Sequence, residues 1–204
     1  VGRLSFSALR GPGIALARCS SRAYHDNVKT DDRQDIEATL RGDGEAYARL
    51  IRRHQQRIAR RMWRFTRDPR ELESLVQDVF VEAYKSLGGF RGTGPLEHWL
   101  LRIATRVGYR FWKHRDRRRR FQPLGEWEPP AADSPEPGEA AERLHRLLGE
   151  LRLRDRLVLT LMYFEELSVA EIARQTGWSE SMVKVQAHRA RKRLKAMLDK
   201  TSSD

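Results

Sequence analysis

One cysteine, Cys19, is present among 204 residues, so no intrachain disulfide can brace the fold and no all-cysteine metal site can form. Six histidines, His25, His54, His98, His114, His145 and His188, stand without ligand spacing. They read as surface or packing residues, and neither a metal nor a cofactor is expected. No apolar run approaches the ~18 residues that would cross a bilayer, which points to a cytoplasmic, reducing compartment and no membrane insertion. Period-two alternation, the mark of strands, is missing as well. Acid is lacking at one end, with none before Asp26, and base is lacking in the middle, where residues 121–142 contain neither Lys nor Arg.

Positive charge, by contrast, is in excess. Lys and Arg number 40 against 28 Asp and Glu, a net charge of +12. Such an excess suits a polyanionic partner, either nucleic acid or an anionic membrane surface. Its placement along the chain has to decide between them.

Residues 1–30 are rich in Ser, Gly and Arg. The composition resembles a transit peptide, but the expectation is a disordered N-terminal extension, and Val1 suits a start at a GTG codon or one placed too far upstream. Residues 31–120 form a first block, helical from Asp35 onward. Tyr47, Leu50, Ile51, His54, Ile58, Met62 and Phe65 recur at three- and four-residue steps. A second stripe runs from Leu72 through Leu75, Val76, Val79, Phe80, Ala83 and Tyr84 to Leu87, and a third from Leu96 through Trp99, Leu100, Ile103 and Val107 to Phe111. Each is one face of an amphipathic helix, and three such faces can bury one another. Five prolines (123, 129, 130, 135 and 137) and six acids then fall within 121–142, a density that blocks helix and sheet. The linker is assigned to 121–139 and a second helical block to 140–200. The expected fold class is all-α, two small helical domains joined by a flexible acidic, proline-rich linker.

The second block carries the most specific pattern. Ser168-Val169-Ala170-Glu171 is a capping box, Gly177 offers the positive φ of a tight turn, and Ser179 offers a second N-cap for a helix reaching Leu198. Two helices joined by a short glycine-containing turn are a helix-turn-helix, whose second helix enters the major groove of duplex DNA. The outward candidates are Ser179, Glu180, Ser181, Lys184, Gln186 and His188, with Arg189, Arg191, Lys192, Arg193 and Lys195 suited to phosphates. A solvated basic helix in a helical hairpin would not need this cap-turn-cap sequence.

In the first block, Arg102, Arg106, Arg110, Lys113 and the run Arg117–Arg120 are interleaved with Tyr109, Phe111 and Trp112. Aromatic rings among cations suit unpaired bases, which stack on them for about 1–3 kcal/mol each. Phe111 continues the apolar stripe. Tyr109 and Trp112 fall off it and are the expected stacking residues. The helix before them carries Glu71, Glu73, Asp78 and Glu82; a metal-dependent nuclease could use such acids, but no second ligand set accompanies them, so a protein-docking surface is the simpler reading.

Glu73-Ser74-Leu75-Val76-Gln77-Asp78-Val79-Phe80 resembles the helix by which bacterial RNA polymerase sigma factors grip the clamp helices of the β′ subunit. Phe90-Arg91-Gly92 and Trp99 to Thr105 resemble the next part of that domain, which opens and reads the −10 element. Glu171-Ile172-Ala173, Val183-Lys184 and His188 to Leu194 resemble the domain that reads the −35 element. With no third domain between the two, the chain is similar to the extracytoplasmic-function (ECF) group. The resemblance implies core-polymerase binding through Leu75, Val76, Gln77, Asp78 and Phe80. It implies −10 binding through Phe90, Arg91, Arg102, Arg106, Tyr109, Trp112 and Lys113, and −35 binding through Ser179, Glu180, Ser181, Lys184, Gln186, His188, Arg189, Arg191 and Arg193. The implied partners are core RNA polymerase, promoter DNA as duplex and as melted single strand, and in many members an anti-sigma factor; no catalytic residue is implied. Ser74 stands where the family usually has Asp, and Arg106 and Arg110 stand where many members carry Asn and Asp. The competing expectation is a helix-turn-helix regulator that binds duplex DNA without polymerase.

Overall fold

The computed structural model describes the backbone of residues 21–121, 144 and 147–201, and the side chains of 31–118, 144 and 147–199. The 121–139 linker assignment lies, beyond its first residue, outside the described residues, as do residues 1–20. Among the described residues there is no β-strand, and the all-α expectation holds.

Four helices make up the first block: α1 (Ser21–Leu40), α2 (Gly44–Met62), α3 (Pro69–Ser86) and α4 (Leu96–Phe121). Asp43 starts α2 by accepting the Glu45 and Ala46 amides at 2.9 and 3.1 Å. Asp68 starts α3 by accepting from Arg70 at 2.8 Å, with Pro69 as its first residue. Both exploit amides that the first helical turn cannot pair internally. The three stripes then meet: Leu50, Ile58 and Met62 pack with Leu75, Val76, Val79, Phe80 and Ala83 and with Leu100, Ile103 and Val107.

Helix α1 begins before Asp35, where the helical pattern of the sequence starts, and its residues 21–30 fall in the stretch expected to be an N-terminal extension. Among its described side chains Ile36 joins the core and two carboxylates make ion pairs. Asp32 and Asp35, each 6 % exposed, face α2: Asp32 meets Arg53 and the buried His54, whose Nε2 lies 3.0 Å away, and Asp35 accepts from Arg49 at 2.7 Å and Arg53 at 3.0 Å. Burial alone would raise the Asp35 pKa, but hydrogen bonds from Arg49 and Arg53 outweigh it and hold the carboxyl below its ordinary value.

The second block contains residues 147–150 in a helical turn, then α5 (Leu153–Leu159), a π-helical turn over Thr160–Phe164, α6 (Val169–Thr176) and α7 (Glu180–Thr201). The chain reverses through Glu166 at φ +53°, and the Leu167 amide closes the turn onto the Leu161 carbonyl at 3.1 Å. The capping box is formed, with Ser168 and Glu171 bonding reciprocally. Gly177 ends α6 at φ +76°, and the Ser179 hydroxyl accepts the Met182 amide at 3.2 Å to start α7.

The two blocks do not have separate cores. Leu157, Leu161, Ile172 and Val183 belong to the same buried cluster as the first-block stripes; only Leu148, Leu151, Leu159 and Ala190 form a second, smaller one. Helix α4 lies in contact with α2 and α3 on one side and with α5 and α6 on the other. Its second face contains Thr105, Gly108 and Trp112. A Cβ on Gly108 would sit 2.5 Å from the Phe65 ring, so only glycine lets α4 approach that ring. Between the blocks, Arg61 is 2 % exposed and its Nε lies 2.9 Å from Glu165 Oε2, off the hydrogen-bonding angle. Its Nη1 donates to Gln175 at 3.0 Å and to Thr105 at 3.3 Å. Burial pulls the Arg61 guanidinium below its usual range, and the Glu165 carboxylate opposes that shift.

Three outcomes are expected. Gly108→Ala loses about 1–3 kcal/mol of stability through overpacking against Phe65, despite the better helix propensity of alanine, seen as a lower thermal midpoint. Glu165→Ala strands the Arg61 charge and costs about 3 kcal/mol in urea denaturation. Because the folded pKa of Asp35 is depressed, its stabilisation is complete above the ordinary value of 3.8 and is lost as pH falls from there towards the lower folded value; Asp35→Asn flattens that part of the stability–pH curve.

Candidate nucleic-acid and protein-docking surfaces

Helix α3 shows two faces. Leu75, Val76 and Phe80 are buried in the core, so they cannot themselves meet a partner; their alternation with surface positions had made the whole run look like one docking segment. Gln77 and Asp78 are exposed. Helical spacing continues their face to Val81 and Tyr84, 49 % and 55 % exposed. The sequence reading assigned Tyr84 to the core stripe and passed over Val81. The Tyr84 ring instead sits edge-on to Tyr47 at 5.0 Å between centroids, and the Tyr47 hydroxyl donates to the Phe80 carbonyl. Burial pushes the Tyr47 phenol well above its usual pKa, so it stays a neutral donor. An apolar pair beside a carboxylate, on one exposed stripe, is suited to a protein surface.

Asp78 and Glu82 share a helix face by spacing, but Glu82 is engaged by Arg110 of α4. Among the described residues no cluster of His, Cys, Asp and Glu comes together that could hold a metal ion.

On α4, Arg102, Arg106 and Lys113 are exposed and Tyr109 is half-buried; steps of four, three and four put them in one row. Arg91 is exposed in the loop before the helix, and Phe90 is half-buried with its ring 5.4 Å from Trp99. Trp112 is not in this row. It is 2 % exposed, its indole N–H donates to the Phe65 carbonyl at 2.8 Å, and its ring lies 4.5 Å from that of Phe65. The Arg156 guanidinium covers it at 4.0 Å. The expected stacking role is therefore withdrawn for Trp112: the residue falls off the first apolar stripe because it belongs to a second one, in which Leu101 is apolar but the two positions between, Thr105 and Gly108, are not. Phe111, assigned to the core stripe, is half-buried against it.

On α7 the helix-turn-helix presents Glu180, Ser181, Lys184, His188, Arg189 and Arg191 to solvent beyond its exposed cap Ser179. Gln186 and Arg193 are engaged within the protein instead, although Arg189 lies on the same side of the helix. Both bond the carboxylate of Asp155, which is fully buried at the start of α5. They are seven residues apart, two helical turns, and tie α7 to α5. This removes them from the expected DNA-reading set. Val185, 49 % exposed, was not among the expected residues. Arg193→Ala, which takes one of its two described side-chain partners from buried Asp155, is expected to cost about 1–3 kcal/mol of stability, whereas Arg189→Ala should leave the unfolding midpoint unchanged.

The described surface thus contains two rows of cations on different helices, one of them a helix-turn-helix, and an acidic-apolar stripe on α3. No described helix is long and apolar enough to cross a membrane. The family description of sigma-70 region 2 matches residues 50–118 and that of sigma-70 region 4 matches residues 141–194. RNA polymerase sigma factor YlaC of Bacillus subtilis is 33 % identical over 162 residues, covering 76 % of this chain and 93 % of that one. ECF RNA polymerase sigma factor SigM of Mycobacterium tuberculosis is 28 % identical over 185 residues, covering 90 % and 92 %. Among solved structures, CnrH in complex with the cytosolic domain of CnrY superposes with a TM-score of 0.58 at 25 % identity, covering 84 % of this chain and 96 % of that one. The two family regions in this order, with relatives matched over almost their whole length, show that the chain belongs to the sigma-70 family of RNA polymerase sigma factors, in its ECF branch.

Proposed function

We propose that this sigma factor divides its work among three surfaces. Gln77, Asp78, Val81 and Tyr84 of α3 dock on the β′ clamp helices of core RNA polymerase. Phe90 and Arg91, with Arg102, Arg106, Tyr109 and Lys113 of α4, take the melted −10 strand. Ser179, Glu180, Ser181, Lys184, His188, Arg189 and Arg191 meet the −35 duplex. In domain terms, 31–120 binds polymerase and the −10 element, 121–139 is the acidic linker and 140–200 binds the −35 element. Catalysis stays in the polymerase, the chain supplying no catalytic group, and the site of action is the cytoplasm.

The observation that supports this best is the separation of charge: an exposed acidic-apolar stripe on α3, and exposed cationic rows on α4 and α7. A regulator acting on duplex DNA alone would need the α7 row but neither the α3 stripe nor the α4 row. An anti-sigma partner is part of the proposal, since a relative, the sigma factor RpoE, has been crystallised with the anti-sigma factor NepR from Bartonella quintana.

The test is run-off transcription with purified core polymerase on the chain's own upstream region. Initiation should require this protein, and both Asp78→Ala and the pair Lys184→Ala/Arg189→Ala should weaken it, Asp78→Ala by reducing core binding. Promoter affinity should fall with salt at a log–log slope of about −0.9 per neutralised phosphate, and Arg191→Ala should flatten that slope by about one contact. Failure to bind core polymerase would overturn the proposal in favour of the duplex-binding regulator.

A further inference from the structure

Along the outward face of α7, from Glu180 to Lys192, every exposed side chain is polar or charged except one: Val185, 49 % exposed. The other apolar residues of that stretch, Met182, Val183, Ala187 and Ala190, are buried or half-buried. Val185 belongs to neither apolar cluster. Valine is a poor choice for an exposed helical position, because its branched Cβ loses rotamer freedom against the preceding turn. The fold therefore does not account for it.

Its position does. Val185 is the sixth residue of α7, within the first two turns, the part of a helix-turn-helix recognition helix that reaches base edges. Ser181, His188 and Arg189 surround it at helical spacing, with Lys184 preceding it in the chain, all exposed. A hydrogen-bonding edge would be matched by those neighbours, but an isopropyl group can match only an apolar one. In the major groove the four bases present acceptors, donors and a single methyl group, the C5-methyl of thymine.

We infer that Val185 is a specificity-determining residue that packs against the C5-methyl of one thymine in the −35 duplex. The inference rests on the function proposed above and adds a ligand group to it. Lys184, His188 and Arg189 would hold the helix on neighbouring edges and phosphates while Val185 selects thymine at one step by excluding water from its methyl.

The test selects duplexes from a pool randomised across the −35 region, using the full-length chain bound to core polymerase. Each thymine of the selected sequence is then replaced by deoxyuridine, which lacks only the methyl. One such replacement should weaken wild-type binding about fourfold, the worth of one buried methyl group. Val185→Ala should bind the parent duplex more weakly by a similar factor, be indifferent to that replacement, and keep the wild-type thermal midpoint. Val185→Ile should keep the sensitivity. Selection of a sequence in which no thymine methyl matters, or a deoxyuridine effect that persists unchanged in Val185→Ala, would overturn the inference while leaving the sigma function intact. No polymerase-dependent enrichment at all would overturn the proposed function and this inference with it, an outcome recognisable because wild type and Val185→Ala would then both fail to select any sequence with core polymerase.

Discussion

The arrangement of the described residues depends on one buried charge. Arg61 reaches from α2 into the junction between the blocks and finds Glu165, Gln175 and Thr105 there. A guanidinium withdrawn from water carries a desolvation cost of several kcal/mol unless its partners are in place, so the π-helical turn, the reversal at Glu166 and α6 as far as Gln175 must all be formed for that position to be tolerable. Arg64, 3.3 Å from Glu165 and over the Phe164 ring, reinforces the same joint. Around it the apolar cluster continues from one block into the other. Two small helical blocks, each too small to bury much alone, thereby complete each other.

The parts of the fold legible in the sequence were those governed by neighbours in the chain. The stripes of α2, α3 and α4 follow from helical periodicity, and the ends of α6 and α7 follow from Ser168, Glu171, Gly177 and Ser179, whose cap chemistry is local. Illegible were the parts governed by distant partners. Helix α1 is held by Asp32 and Asp35 against Arg49, Arg53 and His54, and charge pairing leaves no periodic signature. Trp112 is buried on a helix face whose apolar pattern Thr105 and Gly108 interrupt. On the surfaces the same division holds. Helical spacing shows which side chains of α7 share a face, but only the distant Asp155 decides that Gln186 and Arg193 lie on the inner one.

The sigma reading gains from this division of faces. On α3 the core takes Leu75, Val76, Val79 and Phe80 and leaves Gln77, Asp78, Val81 and Tyr84 outside. On α4 it takes Ile103, Val107 and Trp112 and leaves Arg102, Arg106 and Lys113. Acid-apolar and basic surfaces are kept on separate helices, which limits competition between a protein partner and a nucleic-acid partner for the same residues.

The clamp on Asp155 has a further consequence for how such a protein changes over generations. Gln186 and Arg193 secure α7 from its inner side, while Ser181, Lys184, Val185, His188 and Arg189 contribute little to holding it. Substitutions at those outward positions are therefore nearly free of folding penalty, and the helix can acquire a new preference among DNA sequences without first surviving an unstable intermediate. Its capacity to diverge and its permanence reside in the same helix, at Val185 and Gln186 a single step apart along the chain.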